Sequence, residues 1–161
     1  MIPSISQLKE KRAAASHEDL EESSELLLDF FKLQKLQPAA AEGLVPVVVQ
    51  NADTGEVLIL AYANHEALQQ SLERGIAVFY STSRKELWIK GATSGDYLDL
   101  VEVRINCEQN SLLFLVRPRA GGVCHTRQTS GKTRQSCYYR LVEKSGKLSP
   151  PASQPLPWHD S

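Results

Sequence analysis

Three cysteines, Cys107, Cys124 and Cys137, are the side chains in this 161-residue chain best suited to hold a metal ion. Cys107 sits in the polar turn NCEQN, while Cys124 and Cys137 bracket the loop CHTRQTSGKTRQSC. Sixteen residues separate Cys107 from Cys124 and twelve separate Cys124 from Cys137, so the close cysteine pairs of a zinc finger are absent. A single cysteine is most often a small buried hydrophobe. None of these three lies in an apolar run, however. Their neighbours are Asn106 and Glu108, then His125 and Thr126, then Ser136. Two readings stay open: three structural thiols, or one shared metal site. Three thiolates on zinc would leave the fourth position for water, the arrangement of a catalytic centre. They would also more than cancel the ion's charge, leaving about −1, so a base would have to help activate that water. His125, next to Cys124, is the candidate base; its other reading is a surface histidine.

Two further stretches have chemical character. From Ser111 to Val142 there is no Asp or Glu, while Arg117, Arg119, Arg127, Lys132, Arg134 and Arg140 are present. That suits an anionic ligand such as a phosphate, or else a solvated basic loop. The segment TSRKELWIKGATSG (82–95) carries Arg84, Lys85, Trp88 and Lys90, followed by Gly91, Thr93, Ser94 and Gly95. Hydroxyls, lysine and glycine-rich backbone can bind phosphate oxygens. The pattern is neither a Walker loop nor a dinucleotide fingerprint, and an ordinary hairpin is the competing reading.

The elements that must position these residues are read from periodicity and turn chemistry. LVPVVVQ (44–50) and VLILAY (57–62) flank the polar turn NADTGE and predict a hairpin. NHEALQQSLERG predicts a short helix: Asn64 caps it, Glu66 suits its positive end, Leu68 and Leu72 share a face, and Gly75 ends it. Strands are expected over 76–81, 86–91, 97–105 and 111–117, with a further one over 136–142. In the N-terminal stretch, Leu20, Leu26, Leu27, Phe30 and Phe31 follow helical spacing until QPAAAEG breaks it. The expectation is a β-rich α+β domain over 43–145, with an antiparallel or mixed sheet and one short internal helix. A helical N-terminal extension (1–42) precedes it, and a Pro-rich tail (146–161) follows.

Composition bounds the function classes. Eighteen basic residues nearly balance nineteen acids, which gives no electrostatic case for nucleic acid or membrane as a partner. At 42% hydrophobic and 23% charged, the chain fits a single globular domain. The N-terminus has no apolar signal region and no apolar run of about 18 residues exists. An odd, sparse cysteine count points to reduced thiols and a cytoplasmic location.

These pieces, in this order, resemble the phosphoribosyl-AMP cyclohydrolases of histidine biosynthesis. GLVPVVVQNADTGEVLILAYANHEAL is similar to the family's opening hairpin and helix, GIAVFYSTSRKELWIKGATSG to its substrate-facing stretch, and GGVCHT…SCYYR to its cysteine-histidine segment. The resemblance covers about residues 43–142. It implies a homodimer that opens the N1–C6 bond of the adenine ring in phosphoribosyl-AMP. It implies zinc at the subunit interface on Cys107, Cys124 and Cys137, the first from one chain and the others from its partner. His125 would be the catalytic base, and Arg84, Trp88, Lys90, Thr93 and Ser94 would face the substrate. Three departures stand out. The family's magnesium motif, Asp-Cys-Asp-x-Asp, reads Asn106-Cys107-Glu108-Gln109-Asn110 here, which puts magnesium binding in doubt. Twelve residues lie between the last two cysteines where the family has about six. The N-terminal extension is longer than the family core needs. A non-catalytic zinc-bound homodimer is the alternative. Another zinc-dependent nucleobase hydrolase is a further one, though the H-x-E and P-C-x-x-C signature of cytosine deaminases is absent.

Overall fold

The structure is a computed structural model and describes residues 2–33, 43–120, 122–124, 127–128, 130–140, 142, 144–145 and 148. It is an α+β fold built on a mixed four-stranded sheet. Strands β1 (Val45–Asn51) and β2 (Val57–Ala63) form the expected antiparallel hairpin. Strands β5 (Leu98–Ile105) and β6 (Leu112–Pro118) form a second one. The two hairpins join through a parallel seam, Val47 opposite Leu112 to Asn51 opposite Val116, giving the order β2-β1-β6-β5. Strands β3 (Val78–Ser81) and β4 (Glu86–Ile89) make a separate two-stranded hairpin.

Alternation decides which side of the sheet is buried. Val45, Val47 and Val49 of β1 and Leu112, Phe114 and Val116 of β6 point to one face and are nearly inaccessible. Phe79 of β3 stacks on Phe114 with ring centroids 5.9 Å apart and meets Trp88 at 5.7 Å. Each such fully buried side chain contributes about 1.5–3 kcal/mol relative to exposure.

The internal helix α3 (His65–Arg74) starts and stops as its caps dictate. The Asn64 Oδ1 accepts from the Ala67 amide at 2.8 Å, and Gly75 takes the left-handed conformation at φ 66°. Its buried face differs from the expected one. Leu72 is 47% exposed, and Ser71 is buried in its place. The Ser71 hydroxyl donates to the Ala67 carbonyl at 2.8 Å and accepts from the Val78 amide at 2.9 Å, tying the helix to β3.

Two expectations need correction. The N-terminal stretch forms α1 (Ile5–Ala14) and α2 (His17–Glu22), but the helix does not continue through Phe31. After Ser23 the chain is non-helical as far as Asp29. The amides of Leu27 and Asp29 donate to the side chain and carbonyl of Gln109 instead of to the preceding turn. Leu8, Leu28 and Phe30 join the main core, so this segment packs as part of the domain. Second, residues 136–140 form no strand; that segment is anchored on β2 as described below. The residues just before Gly43 and nearly all of the Pro-rich tail lie outside the described residues. Among the described residues, no helix is long and apolar enough to cross a membrane.

Candidate active site

The loop carrying Cys124 and Cys137 is fastened at one end of the sheet. Its two limbs pair through Val123 N–H to the Gln135 carbonyl (3.3 Å) and Cys124 N–H to the Arg134 carbonyl (3.1 Å). Gly122 makes that approach possible, since a Cβ there would fall 2.6 Å from the Thr133 methyl. The Ser136 hydroxyl then donates to the Val57 carbonyl at 2.7 Å, and the Cys137 amide donates to the Leu58 carbonyl at 2.9 Å. The result sets the two thiols side by side. Cys124 is buried, while Cys137 is exposed as a residue. Its sulfur nonetheless faces Cys124: desolvation, then the neighbouring Cys124 sulfur, push the Cys137 thiol up to about 12, with Lys90 pulling the other way. Two adjacent sulfurs are a donor pair that a divalent cation could take up, with release of their protons.

Lys90 reaches this spot from the end of β4. The turn behind it folds back through Gly95 N–H to the Gly91 carbonyl at 2.7 Å. Gly91 has φ 94°, and a Cβ there would lie 2.3 Å from the Tyr97 nitrogen, so only glycine fits. Thr93 and Ser94 stand exposed on this turn. Trp88 is half-buried against Phe79. Arg84 is exposed in the β3–β4 turn, at the opposite end of that hairpin and about 13 Å along the strand from Lys90. The structure thus brings Cys124, Cys137 and Lys90 together and leaves Arg84 apart.

Cys107 is elsewhere. It lies in the β5–β6 turn, past the Ile105–Leu112 pair, while Leu58 lies across the sheet near its other end. Three strand spacings across and about three residues along put Cys107 about 15 Å or more from Cys137. Among the described residues, no three His, Cys, Asp or Glu side chains gather as a metal-binding group. His125 and Thr126 lie outside the described residues.

The altered motif around Cys107 satisfies itself. The Asn106 Oδ1 accepts from the amides of Asn110 (2.9 Å) and Ser111 (3.0 Å). The Asn106 side-chain amide donates to the Asn110 Oδ1 at 2.8 Å, and the Asn110 amide donates to Glu108 at 2.9 Å. Gln109, which the sequence did not single out, is buried in this turn. Its signal was available only as a long amide side chain in an otherwise short polar turn.

The acid-free stretch finds acids elsewhere in the fold. Arg117 pairs with Asp53 at 3.0 Å, and Arg119 pairs with Asp99 at 2.7 Å and lies over Tyr97 at 5.0 Å. The Arg119 guanidinium holds the Asp99 carboxyl below its ordinary range. Arg134 lies 4.1 Å over Tyr139.

Comparison with known proteins decides the family. The model of phosphoribosyl-AMP cyclohydrolase matches residues 59–139. A phosphoribosyl-AMP cyclohydrolase of Caulobacter vibrioides is 47% identical over 121 residues, covering 74% of this chain and 80% of its own. The chain belongs to the phosphoribosyl-AMP cyclohydrolase family. A cyclohydrolase of Hyphomonas neptunium is 46% identical over 116 residues, 71% of this chain and 82% of its own. A histidine-biosynthesis bifunctional protein of Aquifex aeolicus is 40% identical over 116 residues, 72% of this chain and 54% of its own. The cyclohydrolase described here is a hydrolase of the cyclic-amidine class, and the matched segment contains Lys90, all three cysteines and the turn between β5 and β6.

Proposed function

We propose that this cyclohydrolase works as a zinc-dependent homodimer that adds water across the N1–C6 bond of the adenine ring in phosphoribosyl-AMP, opening the ring as a step in histidine biosynthesis. The observation that carries this reading is the apposition of Cys124 and Cys137 beside Lys90, with Cys107 at the far end of the same sheet. A three-thiol site then takes Cys124 and Cys137 from one chain and Cys107 of the partner subunit. Zinc held there would supply a Lewis acid to polarise the attacking water. His125, one residue from Cys124, takes the proton as water attacks C6 and returns it to N1 as the N1–C6 bond breaks. Lys90, with Thr93 and Ser94 on the glycine turn, binds phosphate oxygens, and Trp88 offers an aromatic face near them. The outer face of the sheet supports dimerisation. Val48 is 37% exposed and Leu60 49% exposed, directly opposite one another, with Leu113 as the next neighbour across the seam. Such an apolar row on an uncovered sheet face suits burial against a second copy.

Incubating the purified protein with phosphoribosyl-AMP tests this directly. Ring opening is expected, followed as an absorbance change, and a zinc-selective chelator should abolish it. Zinc-loaded protein that leaves the substrate intact would sink the reading.

Magnesium, the family's second cation, meets a different turn here. Hard oxygen ligands with one or two carboxylates are its usual anchors. In this turn only Glu108 carries charge, and the amides of Asn106 and Asn110 are engaged with one another. Magnesium is therefore proposed to bind chiefly through Glu108 and the substrate's own phosphates. The double change Asn106→Asp with Asn110→Asp restores two charges, each worth about 1–4 kcal/mol at close range. It should lower the magnesium concentration for half-maximal activity by about tenfold or more. Wild-type turnover that ignores magnesium chelation, with zinc retained, would remove the second cation from the reaction.

A further inference from the structure

We propose that the N-terminal segment is a clasp that sets the Cys107 turn, and that Gln109 is the positioning residue through which it acts. The proposal rests on the reading of Cys107 as a metal ligand.

Gln109 is 4% exposed, at the tip of a hairpin whose other turn residues are more accessible. Its φ is 51°, the left-handed region, where a residue with a Cβ is strained and glycine is not. A turn needing only that backbone conformation would carry glycine. Glutamine earns its place through its side chain, whose hydrogen bonds among the described residues all go to the N-terminal segment. Its Oε1 accepts from the Leu27 amide. Its Nε2 donates to the Glu25 carbonyl at 3.0 Å and the Leu20 carbonyl at 3.4 Å. Its backbone carbonyl accepts from the Asp29 amide at 2.7 Å and from Arg12 at 3.4 Å. Arg12 in turn donates to the Leu27 carbonyl at 2.6 Å and sits 3.5 Å from Asp29.

The clasp is held down from the other side. Leu8, Leu28 and Phe30 are buried in the main core. The turn is thereby pinned at one end by core-anchored backbone and at the other by Asn106. The Asn106 carbonyl accepts from the Gln109 amide at 2.9 Å. Cys107 and Glu108 are the two residues between these fixed points. Cys107 stays exposed, in a cleft of about 270 Å³ walled by Ser24 and Leu26 of the N-terminal segment. A ligand supplied to a partner chain must be presented outward at a set position by its own chain, because the other ligands are not there to guide it. Orienting contacts around metal ligands are worth about 10- to 100-fold in affinity.

Cobalt(II) titration of the metal-stripped full-length dimer reads this out, because thiolate-to-cobalt absorption reports both affinity and sulfur count. Gln109→Leu removes the amide at nearly constant volume. Arg12→Met removes the second link and keeps the fold testable where Gln109→Leu does not fold. Both are expected to raise the cobalt concentration for half-saturation by about 10- to 100-fold with the final sulfur count unchanged. Val116→Ala, in the core at the other end of β6 from this turn, controls for lost stability and should leave half-saturation in place. Cys107→Ser should lose one sulfur from the spectrum. If Cys107→Ser costs a sulfur while Gln109→Leu or Arg12→Met titrates as wild type, the clasp is overturned and the metal reading stands. If Cys107→Ser changes nothing, the metal reading falls and takes the clasp with it. A Val116→Ala shift equal to that of Gln109→Leu also overturns the clasp, since general loosening would then explain both.

Discussion

Chains carrying Cys107→Ser, inactive alone, are expected to regain turnover when mixed with equally inactive Cys124→Ser chains. In a composite site the first variant still offers Cys124 and Cys137, and the second still offers Cys107. After exchange at equal amounts about half the dimers are mixed, and each has one intact site of two, so about a quarter of wild-type activity should return. Brief denaturation and refolding together would speed exchange. The effect is large because each parent starts near zero. Activity that stays at the parental level in dimers shown to have exchanged would rule out sharing. The fold makes the experiment pointed: with the β5–β6 turn and the β2 edge about 15 Å or more apart, one chain cannot close a three-thiol site without unpairing strands.

His125→Ala should lower turnover by about 10²–10⁴-fold, the span of a positioned general base, with zinc content unchanged. Three thiolates on zinc would leave the proposed site with net negative charge, so the ion would acidify its water less and a side chain would have to take the proton. The loop supplies His125 directly after Cys124, whose amide is fixed to the Arg134 carbonyl. Metal analysis beside the rate separates loss of the base from loss of the ion. A variant that keeps zinc and the full rate at neutral pH removes His125 from the mechanism.

What the sequence revealed followed the reach of each signal. The strands of the sheet and helix α3 were legible because period-two alternation, the Asn64 cap and the Gly75 stop act within a few residues. The helix expected through Phe31 failed for a long-range reason. Leu20, Leu26, Leu27 and Phe30 carry helical spacing, yet Gln109, some eighty positions on, takes the amide that a helix would have used. In segment 136–142, expected as a strand, the Cys137 amide goes to the Leu58 carbonyl and the Ser136 hydroxyl to the Val57 carbonyl. At the site, the polar settings of the cysteines were readable and their grouping was not. Which thiols meet depends on where the loop is fastened along β2, and no local spacing encodes that.

The parallel seam between β1 and β6 has a consequence for distances. It joins residues 65 positions apart, Val47 and Leu112, and fixes how far the β5–β6 turn projects relative to the edge where Cys137 is tied. A slip that kept both faces correct would have to be two residues, moving the turn by about 7 Å. In a two-fold pair with shared sites, the separation between the two half-sites on one chain also sets the separation between the two complete ones. The seam is therefore a ruler graduated in strand residues, and its reading does not depend on how many residues the loop from Cys124 to Cys137 contains. That loop can lengthen between its cysteines, since the Cys137 amide stays tied to the Leu58 carbonyl whatever the loop's length.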